Sequence, residues 1–252
     1  MSDFDRNIAA RGGFAGQAAA IDAGLRAYML RVYNYMASAV ALTGVVAWFT
    51  YSAAVVSDAS GHITGLTPFG QAVFGGPMMI VLMLATLGLV FFISFRINSL
   101  QYSTAFTLFM VYAALLGVTL STIFLSYTGA SITRVFFISA ASFGALSLYG
   151  YTTQRDLSAM GTFLMMGLFG LIIASLVNVF WPSGALSFAI SVIGVGVFAG
   201  LTAWDTQRIK EMYDVHDDGT VAGRKAVMGA LSLYLDFINL FLMLLRLVGD
   251  RR

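Results

Sequence analysis

Seven apolar stretches of about twenty residues follow one another between residue 28 and the C-terminus. Few folds accept that pattern. At 1.5 Å per residue each stretch crosses a hydrocarbon core of roughly 30 Å as a helix. Inside lipid every backbone N–H and C=O needs an internal partner, so only helices and closed barrels span it. Continuous apolar runs, rather than ten-residue alternating ones, select helices. The stretches fall near 28–51, 71–95, 104–126, 133–152, 160–181, 185–206 and 227–247. Only 10% of the chain is charged and 59% is hydrophobic, against about 25% charged in a soluble domain. The expected fold is all-α: a polytopic membrane protein with a polar tail at 1–27 and a seven-helix domain at 28–252.

The charges sit mainly in the connections and report topology. Arg6, Arg11, Arg26 and Arg31 precede or enter the first span, Arg96 follows the second, Arg155 the fourth, and Arg208, Lys210, Arg224 and Lys225 the sixth. The segment 52–69, read as a loop, has no Lys or Arg, and near the connections after the third and fifth spans the one exception is Arg134, at the start of the fourth span. This asymmetry predicts a cytosolic N-terminus. Seven full spans then place Arg246, Arg251 and Arg252 on the far side, against the same rule. The formal charge of +2 is too small to indicate a nucleic-acid partner. The absence of cysteine rules out disulfides, thiolate metal sites and a cysteine nucleophile. Residues 1–27 lack the basic and short apolar regions of a signal peptide, so a retained tail is expected.

One ionisable group interrupts the last span. Asp236 lies in the middle of Ala230-Leu-Ser-Leu-Tyr-Leu-Asp-Phe-Ile-Asn-Leu-Phe-Leu-Met-Leu-Leu245, where a charge costs about 2.5–3.5 kcal/mol on insertion scales. Ser232, Asp236 and Asn239 share one helical face, which places the seventh helix centrally with this stripe turned away from lipid. Asp205 ends the sixth span in Thr202-Ala-Trp-Asp-Thr-Gln-Arg208. It is either one half of a surface ion pair with Arg208 or the mate of Asp236. Two carboxyls held within a few Å share a proton, and such a pair can act as a proton-operated latch, a cation site or a catalytic dyad. Arg96 is either an interfacial snorkelling residue or a counter-charge for the pair.

Other motifs are weaker. Asp214-Val-His-Asp-Asp-Gly219 has Lys225 where a calcium loop needs its bidentate Glu, so it reads as a solvated acidic loop. His62 and His216 stand in different loops and form no cluster. Small residues four apart, as in Ala113-x-x-x-Gly117-x-x-x-Ser121, Gly170-x-x-x-Ala174 and Gly196-x-x-x-Gly200, predict close helix packing.

The segments Gly229-Ala-Leu-Ser-Leu-Tyr-Leu-Asp-Phe-Ile-Asn-Leu-Phe241 and Ala203-Trp-Asp-Thr-Gln-Arg-Ile-Lys210 resemble the last two helices of the Bax inhibitor-1 family. Tyr127-Thr-Gly-Ala-Ser131 and Ser147-Leu-Tyr-Gly-Tyr151 extend the likeness over the second to seventh spans. The resemblance implies six helices around a central C-terminal one, in a bacterial inner membrane. It implies a pH-sensitive calcium leak channel, with calcium homeostasis and stress response as its setting. In such proteins a hydrogen-bonded aspartate pair between the last two helices is the pH sensor, matching Asp205 and Asp236, which would touch Ca²⁺ only transiently. An arginine latches the pair, and Arg96 is its equivalent. No cofactor is implied beyond the permeant ion. A second expectation is a non-channel regulator that docks on a membrane-bound protease or another membrane complex, with the tail, taken to lack fixed structure, as the part a protease would grip. An intramembrane aspartyl protease is disfavoured because Asp236 follows Tyr234-Leu235 rather than Gly-x-Gly, so no enzyme is expected.

Overall fold

The computed structural model describes the backbone of residues 3–58 and 63–252, and side chains from residue 22 onward; His62 lies outside the described residues. The elements run α1 (Asp3–Ala54), β1 (Val55–Ser57), β2 (Ile63–Leu66), α2 (Pro68–Phe74), α3 (Pro77–Arg96), α4 (Tyr102–Leu120), α5 (Ile123–Ser126), α6 (Gly129–Thr152), α7 (Ser158–Phe180), α8 (Gly184–Glu211) and α9 (Gly219–Val248). Among the described residues seven segments are long and apolar enough to span: Asp22–Ala54, Pro77–Ser99, Tyr102–Ser126, Gly129–Thr152, Ser158–Phe180, Gly184–Glu211 and Gly219–Val248. The protein is an all-α polytopic membrane protein.

Three expectations need correction. The second span begins at Pro77, not at residue 71, because residues 71–74 belong to the separate short helix α2. Gly76 takes φ +101°, which breaks the helix, and Pro77 lacks the N–H needed to continue the turn before it. The segment 52–69 is not simply a loop: β1 and β2 pair as an antiparallel hairpin, Val55 opposite Leu66 and Val56 opposite Gly65. The tail is not without fixed structure either, since α1 runs unbroken from Asp3. Its Ala-rich composition has the highest intrinsic helix propensity.

Helix α9 occupies the centre. In its most apolar window 61% of residues are buried, against 11–33% in the other six spans. It packs mainly on α1, α4, α6 and α8, while α3 lies outside α4 and α7 outside α8. Close approach depends on small residues. A Cβ at Gly150 of α6 would stand 2.1 Å from the Ala203 carbonyl oxygen of α8. One at Gly117 of α4 would stand 2.7 Å from the Thr43 carbonyl oxygen of α1. The run Ala113–Gly117–Ser121 is therefore a packing face, whereas Gly170 of α7 meets open space. The centre is pinned by one buried polar chain. Tyr234 of α9 is hydrogen-bonded at 2.6 Å to the Thr43 hydroxyl, which donates to the Ala113 carbonyl at 2.9 Å.

Candidate carboxyl site between the last two helices

The site is built where α8 and α9 run side by side as consecutive helices. Ile209 of α8 lies against Gly229 of α9. One turn earlier on α8 comes Asp205, and further along the same face of α9 come Ser232 and Asp236. A cleft of about 40 Å³ at this seam is lined by Asp205, Arg208, Ile209, Met228, Gly229 and Ser232, with Met212. The Asp205 and Asp236 carboxyls come within hydrogen-bonding reach of each other. Asp236 is 5% exposed and Asp205 is half-buried, so the pair opens toward the cleft on the Asp205 side. Asp236 Oδ2 is buried and receives no N–H or O–H donor. Its polar neighbour is another acceptor, so a hydrogen bond between the two requires a proton on one of them.

The neighbouring residues of α8 explain why Asp205 points at α9. Trp204 packs on Gly161 of α7, where a Cβ would meet the indole at 2.1 Å. The Thr206 hydroxyl donates to the Thr202 carbonyl at 2.7 Å and is joined to Ser147 of α6 at 2.9 Å, which in turn meets Tyr33 of α1 at 2.6 Å. The Gln207 side chain accepts from the Leu157 N–H and donates to the Arg155 carbonyl, both at 2.8 Å, fixing the turn between α6 and α7. The Lys210 ammonium donates to the Tyr151 carbonyl at 3.0 Å. The rotation of α8 is thus set by three neighbours, and the remaining direction carries Asp205.

The other predicted residues divide. Ser232 lines the cleft. Asn239 turns its amide to the Leu235 carbonyl at 2.8 Å, within its own helix. Arg96 stands exposed at the end of α3, and the positive charge acting on Asp205 is Arg208. The Arg208 guanidinium lies over the Trp204 ring, 5.5 Å from its centroid. The resemblance pointed to Arg96 as the latch, and its side chain is exposed at the end of α3. The acidic loop is structural: Asp218 caps α9 through the Thr220 and Val221 N–H groups, Asp214 accepts from the His216 N–H, and Asp217 pairs with Lys225 at 2.6 Å.

The chain matches the model of the family described as inhibitor of apoptosis-promoting Bax1 over residues 25–252. It belongs to the Bax inhibitor-1 family. Among its relatives is an uncharacterized protein of Rickettsia prowazekii, 52% identical over 231 residues that cover 92% of each chain. The inner membrane protein YbhL of Escherichia coli is 47% identical over 232 residues, covering 91% of this chain and 94% of that one. A Caulobacter vibrioides protein is 40% identical over the full length of both. The match begins at residue 25, so it takes in every spanning helix of this Bax inhibitor-1 family member and omits the first turns of α1. Sequence reasoning singled out the two aspartates through their chemistry. It missed Gln207, Thr206 and Tyr234, whose partners lie far away in the chain and whose types are unremarkable in a helix.

Proposed function

We propose that this protein is a pH-sensitive cation leak channel, with calcium as its permeant ion and Asp205 and Asp236 as gate and proton sensor. The observation carrying this reading is the facing pair of carboxyls, one of them buried with an oxygen that has no donor. With one shared proton the two groups bridge α8 to α9 and hold the seam closed. Loss of that proton sets two negative charges face to face in a poorly solvated place, and their repulsion parts the helices. The separated carboxylates offer oxygen ligands to a hard cation in passage. Among the described residues the charged groups acting on the pair are each other and Arg208. Flux is therefore low in acid and rises with pH. The N-terminus is cytosolic, the membrane is a bacterial inner membrane, and no catalytic step is involved.

Calcium flux into liposomes, followed across pH, tests this. Asp236→Asn removes the like-charge repulsion and should leave flux low and flat. Equal flux in wild type and variant at every pH would sink the proposal. Arg208→Gln should shift the pH midpoint, because it removes the positive charge that acts on Asp205. Arg96→Gln should shift it only if α3 swings inward to latch the pair.

A second reading, a regulator docking on a membrane-bound protease, draws on α1. Its 52 residues span about 78 Å, well beyond the ~30 Å of hydrocarbon. Deleting residues 3–20 should abolish co-purification with such a protease and leave flux intact; unchanged co-purification would argue against it.

A further inference from the structure

The three C-terminal arginines that oppose the charge asymmetry find a place at the end of the bundle away from the aspartates. Seven spans put Arg246, Arg251 and Arg252 on the opposite face from Arg96, Arg155 and Arg208. Two cations of that face are already engaged. Arg134 pairs with Asp250 at 2.8 Å, and Arg252 donates to the Tyr51 hydroxyl at 3.2 Å. Arg246 and Arg251 instead line a cavity of about 620 Å³ between the end of α7, the start of α8 and the end of α9. Among the described residues no acidic side chain lines it.

The cavity wall is built rather than incidental. The segment after α9 folds back on the turn before α6. Arg251 bridges Tyr127, the Thr128 N–H donates to the Asp250 carbonyl at 3.1 Å, the Asp250 N–H donates to the Ser131 hydroxyl at 2.8 Å, and the Arg252 N–H donates to the Ser126 carbonyl at 3.1 Å. These bonds hold the Arg251 backbone at the cavity mouth. On the opposite wall the Asn178 amide accepts from the Ser183 N–H at 3.0 Å and donates to the Ser187 hydroxyl at 2.9 Å, tying α7 to α8. Ser175 and Ser191 add hydroxyls, while Phe188, Ile190 and Met243 supply an apolar flank. The volume falls in the range of small-molecule sites. Two guanidinium groups without a lining carboxylate match a phosphate, which accepts paired N–H donors.

We propose that this cavity binds a phosphate ester, with Arg246 and Arg251 holding the phosphate oxygens and the apolar flank taking the ester's hydrocarbon part. The site is independent of the aspartate gate. Both an anionic phospholipid headgroup and a soluble phosphate ester supply this chemistry.

The test uses the full chain in phosphatidylcholine nanodiscs. Retention of added phosphatidylglycerol is read by native mass spectrometry, and binding of glycerol 1-phosphate by calorimetry. Arg246→Gln with Arg251→Gln should weaken whichever probe binds by about tenfold or more, since charge-assisted hydrogen bonds are lost. Arg252→Gln, whose side chain turns to the Tyr51 hydroxyl on the same face and lines no part of the cavity, should leave binding unchanged, because the backbone bond of Arg252 to Ser126 is kept. Retention of phosphatidylglycerol without glycerol 1-phosphate binding assigns a lipid; binding of glycerol 1-phosphate assigns a soluble ester. Arg251→Gln alone, in the exposed segment after α9, guards against misfolding of the double variant and should give a partial loss. Equal binding of both probes by wild type and double variant overturns the proposal. An equal loss in Arg252→Gln also overturns it, because surface charge alone would then explain the effect.

Discussion

Helices α7 and α9 show how burial is distributed in this protein. The most apolar 18-residue stretch of α7 has a mean hydropathy of 2.3 and that of α9 has 1.8, yet 11% of the former is buried against 61% of the latter. The more apolar helix faces outward. In water the ranking would be reversed, because apolar surface would seek the core. In lipid an apolar side chain gains little by leaving the hydrocarbon, so the interior goes to helices that carry polar groups and small residues. Phe163, Met166 and Phe169 stand 61–72% exposed on α7, while α9 turns Tyr234 and Asp236 inward.

The hardest way to break this contrast is to give α7 the residue that α9 tolerates. Phe169→Asp, at the middle of the exposed face, should destabilise the protein by about 2.5–3.5 kcal/mol, the insertion cost of a carboxylate in lipid. Wild type carries Asp236 without that cost because α9 is enclosed. A melting midpoint in detergent, followed by size-exclusion fluorescence, would check it; an unchanged midpoint would mean that the α7 face is not in lipid.

Next in size is a pair of alanine substitutions. Gly150→Ala drives a methyl into the Ala203 carbonyl of α8 and should cost about 1–3 kcal/mol, typical of overpacking against backbone. Gly170→Ala on α7 meets open space and should be neutral or favourable by about 0.5–1 kcal/mol through helix propensity. Similar shifts at the two positions would remove the distinction between inner and outer helices.

The same division separates what was legible in the chain from what was not. The seven spans were readable because hydropathy sums over twenty residues and needs no partner. The central place of α9 was readable because Ser232, Asp236 and Asn239 form a stripe no lipid-facing helix holds cheaply. The partners were less readable. Asn239 satisfies itself on Leu235, and Arg96, read as either a snorkelling residue or a counter-charge, stands exposed while Arg208, the other candidate, acts on Asp205. The Gln207 and Thr206 contacts join residues about fifty or more apart in sequence. No local period encodes such pairings. The break before α3 was passed over because Ala72, Val73 and Phe74 are apolar like the residues beyond Pro77, although Gly75-Gly76-Pro77 between them carries the signal that the φ of Gly76 makes plain.

A smaller effect sharpens the inner half of the comparison. Tyr234→Phe removes one hydrogen bond to Thr43 and keeps the ring between Phe109 and Tyr112. Thr43 still donates to the Ala113 carbonyl, so no donor is orphaned. The expected loss is about 1 kcal/mol, the net worth of a single bond. Urea or thermal midpoints of the two proteins would show it, and a loss several times larger would mean that the hydroxyl organises more of the centre than α1 and α4.

The smallest effect lies where α7 begins. The Ser158 hydroxyl and the Ser158 N–H, the latter at 2.8 Å, hydrogen-bond to the exposed Asp156 and hold its carboxyl below the usual carboxylate range. A depressed folded value makes the contribution present above the ordinary aspartate range and lost as pH falls through the lowered one. Asp156→Asn should therefore lower the melting midpoint slightly at neutral pH, and the two melting curves should converge in acid, where wild type has protonated the same group. Curves that stay parallel down to strong acid would show that Asp156 supports the start of α7 by shape rather than by charge. The outer helix would then be held at its entry much as it is along its length, by turns and packing with no electrostatic component.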